Sequence, residues 1–220
     1  MSDQIANITD SPAEKLAGGF GFTEGPLWHL DGHWLFVDIQ KQQIHKMSTS
    51  GQLETFRDPS FGTNGMTFDN QGNLVICESD NRQIMRRQAD GSYTAIATHV
   101  GGKRLNRPND IVGRSDGTLY FTDPGGRLTE EERELDFSGV HIIAPGGANS
   151  VGTTETEYPN GLAFSPDEKI LYVAITRLDA RCLEEKEKHQ MCEHQLIRAF
   201  DVAADGSLSN NRVFATMYSA

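Results

Sequence analysis

The chain has 220 residues, a net charge of −11 at pH 7, 37% hydrophobic residues and 22 glycines. That length suits one domain, and the apolar content is ample for a core. The acidic balance argues against nucleic acid or an anionic membrane as partner, since both need basic patches, and no apolar run reaches the length of a membrane span.

Residues 1–19 read as an N-terminal segment. Met1 to Asp10 is polar and carries no apolar signal region, so a cytoplasmic location is expected. Ser11-Pro12-Ala13-Glu14 follows, with a cap oxygen, a proline at the first helical position and a glutamate at the third. That pattern predicts one short helix without chemistry.

Residues 20–220 read as an all-β domain. The first group of predicted strands is Gly25 to Trp28, Trp34 to Ile39, Gln43 to Met47 and Leu53 to Phe56, with turns at Asp31-Gly32 and Ser50-Gly51. The second is Met66 to Phe68, Leu74 to Cys77, Gln83 to Arg87 and Tyr93 to Ala97, with Asp90-Gly91 as a turn. The third opens at Asp110-Ile111-Val112 and continues through Leu119 to Thr122; the fourth opens at Leu162 to Phe164 and continues through Ile170 to Ala174. Short β-branched and aromatic runs between Asx-Gly pairs are hairpin chemistry, because Gly and Asn tolerate the positive φ of tight turns. Trp28 and Trp34 read as packing aromatics.

One phrase recurs ahead of each group: Thr23-Glu24-Gly25-Pro26, Thr63-Asn64-Gly65-Met66, Arg107-Pro108-Asn109-Asp110 and Tyr158-Pro159-Asn160-Gly161. Glu24, Asn64, Asn109 and Asn160 are separated by 40, 45 and 51 residues. A repeat of that length made of short strands predicts a propeller with one four-stranded blade per unit. Oxygens at one phase of every blade would converge on the axis, and a ring of Glu and Asn oxygens suits a hard cation such as Ca²⁺. The uneven steps come from insertions at Gly125 to Phe137 and Arg177 to Gln195. The same spacing puts a further oxygen residue near 219–224, at the end of the chain.

Cys77, Cys182 and Cys192 cannot all pair, which fits a reducing compartment. Cys77 falls in a predicted strand and reads as a small buried hydrophobe. Cys182, His189, Cys192 and His194 share the second insertion, but their spacing matches no standard zinc pattern. Asp110 is expected to hydrogen-bond loop backbone and Asp123 to stabilise a turn.

Several phrases resemble the gluconolactonase and regucalcin (senescence-marker protein) superfamily, most closely its gluconolactonase-like branch. They are Glu24-Gly25-Pro26-Leu27-Trp28, Cys77-Glu78 with Asn81-Arg82, Lys103-Arg104-Leu105-Asn106-Arg107-Pro108-Asn109-Asp110, Tyr120-Phe121-Thr122-Asp123-Pro124 and Asn160-Gly161-Leu162-Ala163-Phe164. The resemblance implies a six-bladed β-propeller, with about four blades in this chain, and one divalent cation in the axial channel. It implies Glu24, Asn109 and Asn160 as metal ligands, with Ca²⁺ expected first and Zn²⁺, Mn²⁺ or Mg²⁺ as alternatives. The family's fourth ligand is an Asp in a later Pro-Asp-Gly phrase, which doubles as general base. No such phrase occurs here; Asp201 reads as strand and Asp205 as turn, so the base is expected beyond Ala220.

The implied function is cation-dependent hydrolysis of a small sugar lactone, the cation polarising the carbonyl as water attacks. Asn64, Arg104, Asn106 and Asn109 are candidate substrate contacts from the loops ahead of the first strands. A non-catalytic Ca²⁺-binding propeller and a metal-free propeller of the strictosidine-synthase or NHL type stand as alternatives. Oligomeric state is not legible.

Overall fold

The computed structural model describes residues 14–125, 128–176 and 195–216. Among them there is no helix; Glu14 to Gly18 is irregular, and Ser11 to Ala13 of the expected helix lie outside the described residues. The Cys182–His194 cluster also lies outside them.

Four antiparallel sheets of four strands follow one another along the chain, each in simple meander order. The first comprises β1 (Thr23–His29), β2 (His33–Asp38), β3 (Gln43–Ser48) and β4 (Leu53–Arg57). The second comprises β5 (Thr63–Phe68), β6 (Leu74–Glu78), β7 (Gln83–Arg87) and β8 (Tyr93–Ala97). A two-stranded ribbon, β9 (His99–Val100) and β10 (Lys103–Arg104), leads into the third. That sheet is β11 (Ile111–Gly113), β12 (Leu119–Asp123), β13 (Gly139–Ile143) and β14 (Asn149–Thr153). The fourth is β15 (Pro159–Phe164), β16 (Ile170–Ile175), β17 (Leu196–Val202) and β18 (Leu208–Thr216). The first strands β1, β5, β11 and β15 lie beside one another in sequence order, as in a propeller.

Apolar cores fill the spaces between neighbouring sheets. Leu74 and Ile76 of β6 pack toward the first sheet with Leu35, Val37 and Ile44. Val75 and Cys77 of the same strand pack the other way, with Ile111, Leu119 and Phe121. Tyr120 then faces the fourth sheet with Leu171, Val173 and Phe200. Side chains alternate across a strand, so a strand buried on both faces must be apolar at every position. That is why Leu74 to Cys77 and Leu119 to Phe121 read as unbroken hydrophobic runs. Cys77 is the expected buried residue, and burial pushes its thiol well up.

Polar contacts also join the sheets. The Glu78 carboxylate of β6 is buried, accepting from Arg57 of β4 at 2.5 Å and from Asn81 and Gln83 at 2.9 and 2.7 Å. The Arg57 guanidinium lies 4.0 Å above the Tyr93 ring. Trp28 and Trp34 pack against each other, ring centroids 4.9 Å apart, on a half-exposed face of the first sheet.

The structure corrects the expected strand starts. Glu24, Asn64 and Asn160 sit inside β1, β5 and β15, not ahead of them. In each strand the pairing register slips at this point. Glu24 pairs Val37 but Leu27 pairs Leu35; Thr63 pairs Glu78 but Met66 pairs Ile76; Pro159 pairs Ile175 but Leu162 pairs Val173. Three residues on the first strand thus span two on the second, which is a β-bulge, a device that re-aims a side chain. Only Asn109 precedes its strand, since β11 begins at Ile111.

Glycine is required beside two of these positions. Gly25 has φ +53, and a Cβ there would overlap the Asn64 carbonyl oxygen. A Cβ on Gly65 would overlap the Asp110 carboxylate and lie 2.5 Å from Asp110 Cα. Gly65→Ala should therefore destabilise the fold by about 1–3 kcal/mol. Gly146→Ala, which meets nothing within 4 Å, should stay within about 0.5 kcal/mol of the parent. Urea unfolding of both variants measures this, and equal stabilities would contradict the close approach.

Candidate functional site

The three bulges and the Asn109 loop bring the four repeat-phase residues together. Glu24, Asn64, Asn109 and Asn160 line one cavity of about 370 Å³. They also line a narrower adjoining pocket of about 170 Å³, which adds Asp110 and the glycines 25, 65 and 161. All four are half-buried. None of their side chains hydrogen-bonds another described residue, so one carboxylate and three amides stand with free oxygens at a common cavity.

Backbone contacts hold the array. Gly65 N–H of the second sheet donates to the carbonyl of Asn109, which leads into the third, at 2.7 Å. Asn109 N–H donates to Thr122 O at 2.8 Å, and Thr122 N–H returns to Asp110 O at 2.9 Å. Asp110 accepts from Ile111 N–H at 2.9 Å and from Leu162 N–H at 3.3 Å, so its carboxylate fastens the third sheet to the fourth. This matches its expected role as a backbone acceptor.

The other sequence candidates divide. Arg104 is exposed and outside the cavity lining; its guanidinium donates to Asn81 O at 3.1 Å. Asn106 is fully buried, its amide donating to Asp123 O and Phe137 O at 3.2 and 2.9 Å. Neither of these two expected substrate contacts lines the cavity. Arg107 does, in an ion pair with Asp80, which lines it too. The signal was available: in extended backbone, residues two apart share a face, so Arg107 goes with Asn109. Ser79, Gln40 and Tyr158, also in the lining, carried no such signal. Asp123 is fully buried, accepting from Asn106 N–H at 2.8 Å and facing His141 Nε2 at 3.4 Å, so it is closed to substrate.

Among the described residues no three His, Cys, Asp or Glu side chains cluster as a metal site. A ligand set of one carboxylate and several Asn oxygens is a different kind of site, suited to a hard cation of the Ca²⁺ class. Asp110 adds to its electronegative character. Burial, with the Glu24 charge adding to it, raises the Asp110 carboxyl from 3.8 to about 6, against the pull of the Ile111 and Leu162 N–H groups.

A raised carboxyl pKa stabilises the fold fully below the unfolded value, and that contribution is lost as pH rises through the folded one. The window runs from 3.8 to about 6. Asp110→Asn does not titrate, so its stability relative to the parent should climb across this window and level off above it. The slope should approach about 1.4 kcal/mol per pH unit. Urea unfolding in EDTA as a function of pH reads this; a difference constant with pH would contradict it.

Comparison with known proteins bears on the family and the fold. Residues 22–220 match the SMP-30/Gluconolactonase/LRE-like region. A gluconolactonase of Zymomonas mobilis is 31% identical over 193 residues, covering 78% of this chain and 53% of that protein. The structure of a gluconolactonase from Xanthomonas campestris superposes with a TM-score of 0.76 at 32% identity, covering 90% of this chain and 64% of the other. A calcium-binding regucalcin structure from Agrobacterium tumefaciens gives a TM-score of 0.61 at 18% identity, covering 89% and 59%, a likeness of fold. The chain spans about half the length of the curated relative it matches. It belongs to the SMP-30/gluconolactonase/LRE-like family.

Proposed function

We propose that this protein hydrolyses small sugar lactones with the help of one divalent cation, held by Glu24, Asn109 and Asn160. The observation that carries the reading is the cavity these side chains line, without hydrogen-bond partners among the described residues, on a chain of a gluconolactonase family. Ca²⁺ suits the donor set best, and Zn²⁺, Mn²⁺ and Mg²⁺ remain candidates for the same oxygens. The four sheets are read as four blades of a six-bladed propeller domain running from residue 20 onward. No helix of the described residues is long and apolar enough to cross a membrane, and a cytoplasmic location is proposed with the rest.

The cation, when bound, supplies Lewis-acid polarisation of the lactone carbonyl. Glu24 provides its only charged ligand among these three, and the neutral Asn oxygens leave it electron-poor. Asn64 faces the same space and can hydrogen-bond a sugar hydroxyl through either its oxygen or its NH₂. Arg107 offers N–H donors at the cavity wall; its pairing with Asp80 fixes the direction of the guanidinium. Ser79, whose hydroxyl donates to Pro108 O, and Tyr158 also lie along the wall. The cavity of about 370 Å³ fits the low end of small-molecule sites.

Water attack needs a proton acceptor. Among the cavity carboxylates, Asp80 is tied to Arg107, Asp110 to two backbone N–H groups, and Glu24 is assigned to the cation. Asp201 and Asp205 are held elsewhere, by Asn210 with Arg212 and by Ser207. The base is therefore sought outside the described residues.

Hydrolysis of δ-gluconolactone, followed with a pH indicator, should be abolished by EDTA and restored by a divalent cation. Glu24→Gln should weaken cation binding at least about tenfold, because it removes the charged ligand while keeping the shape. Calorimetric titration with Ca²⁺, Zn²⁺ and Mn²⁺ decides the point: equal affinity in variant and parent would refute the ligand assignment. Hydrolysis undiminished in EDTA would refute the cation dependence.

A further inference from the structure

The side chains lining the cavity do not set their own spacing. Asn109 and Asn160 belong to neighbouring sheets, and what relates them is a residue that the cavity lining does not include. Thr122, in β12, is fully buried. Its hydroxyl donates to the Asn160 carbonyl at 2.7 Å and accepts from Asp110 N–H at 3.0 Å. A hydroxyl has one proton to give. The alternative acceptor, Asp110 O, is 3.5 Å away, so the proton goes to Asn160. The backbone of Thr122 meanwhile accepts from Asn109 N–H and donates to Asp110 O. One residue thus holds the main chain of Asn109-Asp110 on one side and of Asn160 on the other.

We infer that Thr122 is a positioning residue, whose hydroxyl sets the separation of Asn109 and Asn160 and through it the affinity for a hard divalent cation. This rests on the cation site proposed above. The physical reason is that amide-oxygen ligands are neutral and bind only at short range, so their affinity depends on being held in place. Neither Asn side chain has a protein hydrogen-bond partner among the described residues, so their backbones carry the whole burden of placement. Losing the hydroxyl leaves a part-buried N–H and a part-buried carbonyl without this partner on the two ligand-bearing segments. Those segments can then shift apart.

Another hydroxyl supplies the control. Tyr120, two residues earlier in β12, is also fully buried and also ties the third sheet to the fourth, donating to Gly206 O at 2.6 Å. Gly206 lies in a hairpin turn away from the cavity lining. Tyr120→Phe removes a buried inter-sheet hydrogen bond; Thr122→Val removes a part-buried one together with the Asp110 N–H bond, and only this second variant touches the Asn109 and Asn160 segments.

The test is a calorimetric Ca²⁺ titration of the parent, Thr122→Val, Thr122→Ser and Tyr120→Phe, with amide hydrogen exchange of each in EDTA. Thr122→Val should lose about tenfold or more in affinity, the loss typical when a group supporting a ligand is removed. Thr122→Ser, which keeps the hydroxyl, should stay within about threefold of the parent, as should Tyr120→Phe whatever it costs in stability. Exchange at Asp110 N–H should quicken in Thr122→Val and not in Tyr120→Phe. Equal losses of affinity in Thr122→Val and Tyr120→Phe would overturn the inference and leave a general stability effect. So would parent-like affinity in Thr122→Val. A parent that binds none of Ca²⁺, Zn²⁺ or Mn²⁺ would overturn the cation site and this role together, which separates that failure from the others.

Discussion

The close approach of neighbouring first strands is the constraint on which the rest of the structure depends. Gly65 N–H meets the Asn109 carbonyl at 2.7 Å, and neither Gly25 nor Gly65 has room for a Cβ. Strands this near the centre cannot all keep regular pairing with their second strands and still aim polar side chains at a common cavity. The bulge solves the conflict. By spending one extra residue, β1, β5 and β15 turn Glu24, Asn64 and Asn160 toward the centre while the strand resumes its ladder at Leu27, Met66 and Leu162. The X-Gly phrase at positions 24, 64 and 160 is thus a backbone instruction.

Polar and apolar groups are kept apart by this arrangement. The cores lie between sheets, where β6 and β12 are buried on both faces. The cavity collects Glu24, Asn64, Asn109 and Asn160, whose side chains have no hydrogen-bond partner among the described residues, at a place where burial already raises the Asp110 carboxyl to about 6. Two carboxylates facing one small space repel each other, and a cation between them relieves that repulsion. The same logic explains why Asp123 is unsuited to chemistry in spite of its place at a strand end. It is fully buried against His141 and holds Asn106 N–H, which anchors the segment leading to Asn109.

Much of this was legible in the chain. The recurrence of Glu24, Asn64, Asn109 and Asn160 at one phase was enough to bring them to one cavity, because repeats of equal build place equal positions alike. Placement within the loops was not. Arg104 and Asn106 belong to the loop ahead of β11, yet Arg104 is exposed in β10 with its guanidinium on Asn81 O, and Asn106 is buried, serving two carbonyls. Arg107, in step with Asn109, lines the cavity. The expected strand starts fall two or three residues late in β1, β5 and β15, because a bulge interrupts the alternation by which a strand is recognised.

By itself the sequence determined the all-β class, the four-strand repeat and the residues whose oxygens share a phase. These follow from turn residues, apolar periodicity and spacing, which act over a few residues at a time. Only the tertiary structure decided which polar groups remain free. Arg107 against Asp80, Asn106 against Asp123 and Phe137, and Thr122 against Asp110 and Asn160 are contacts between segments 12 to 38 residues apart. Whether a side chain is spent on the fold or left for a ligand depends on partners brought near by packing, and no local pattern encodes that distance.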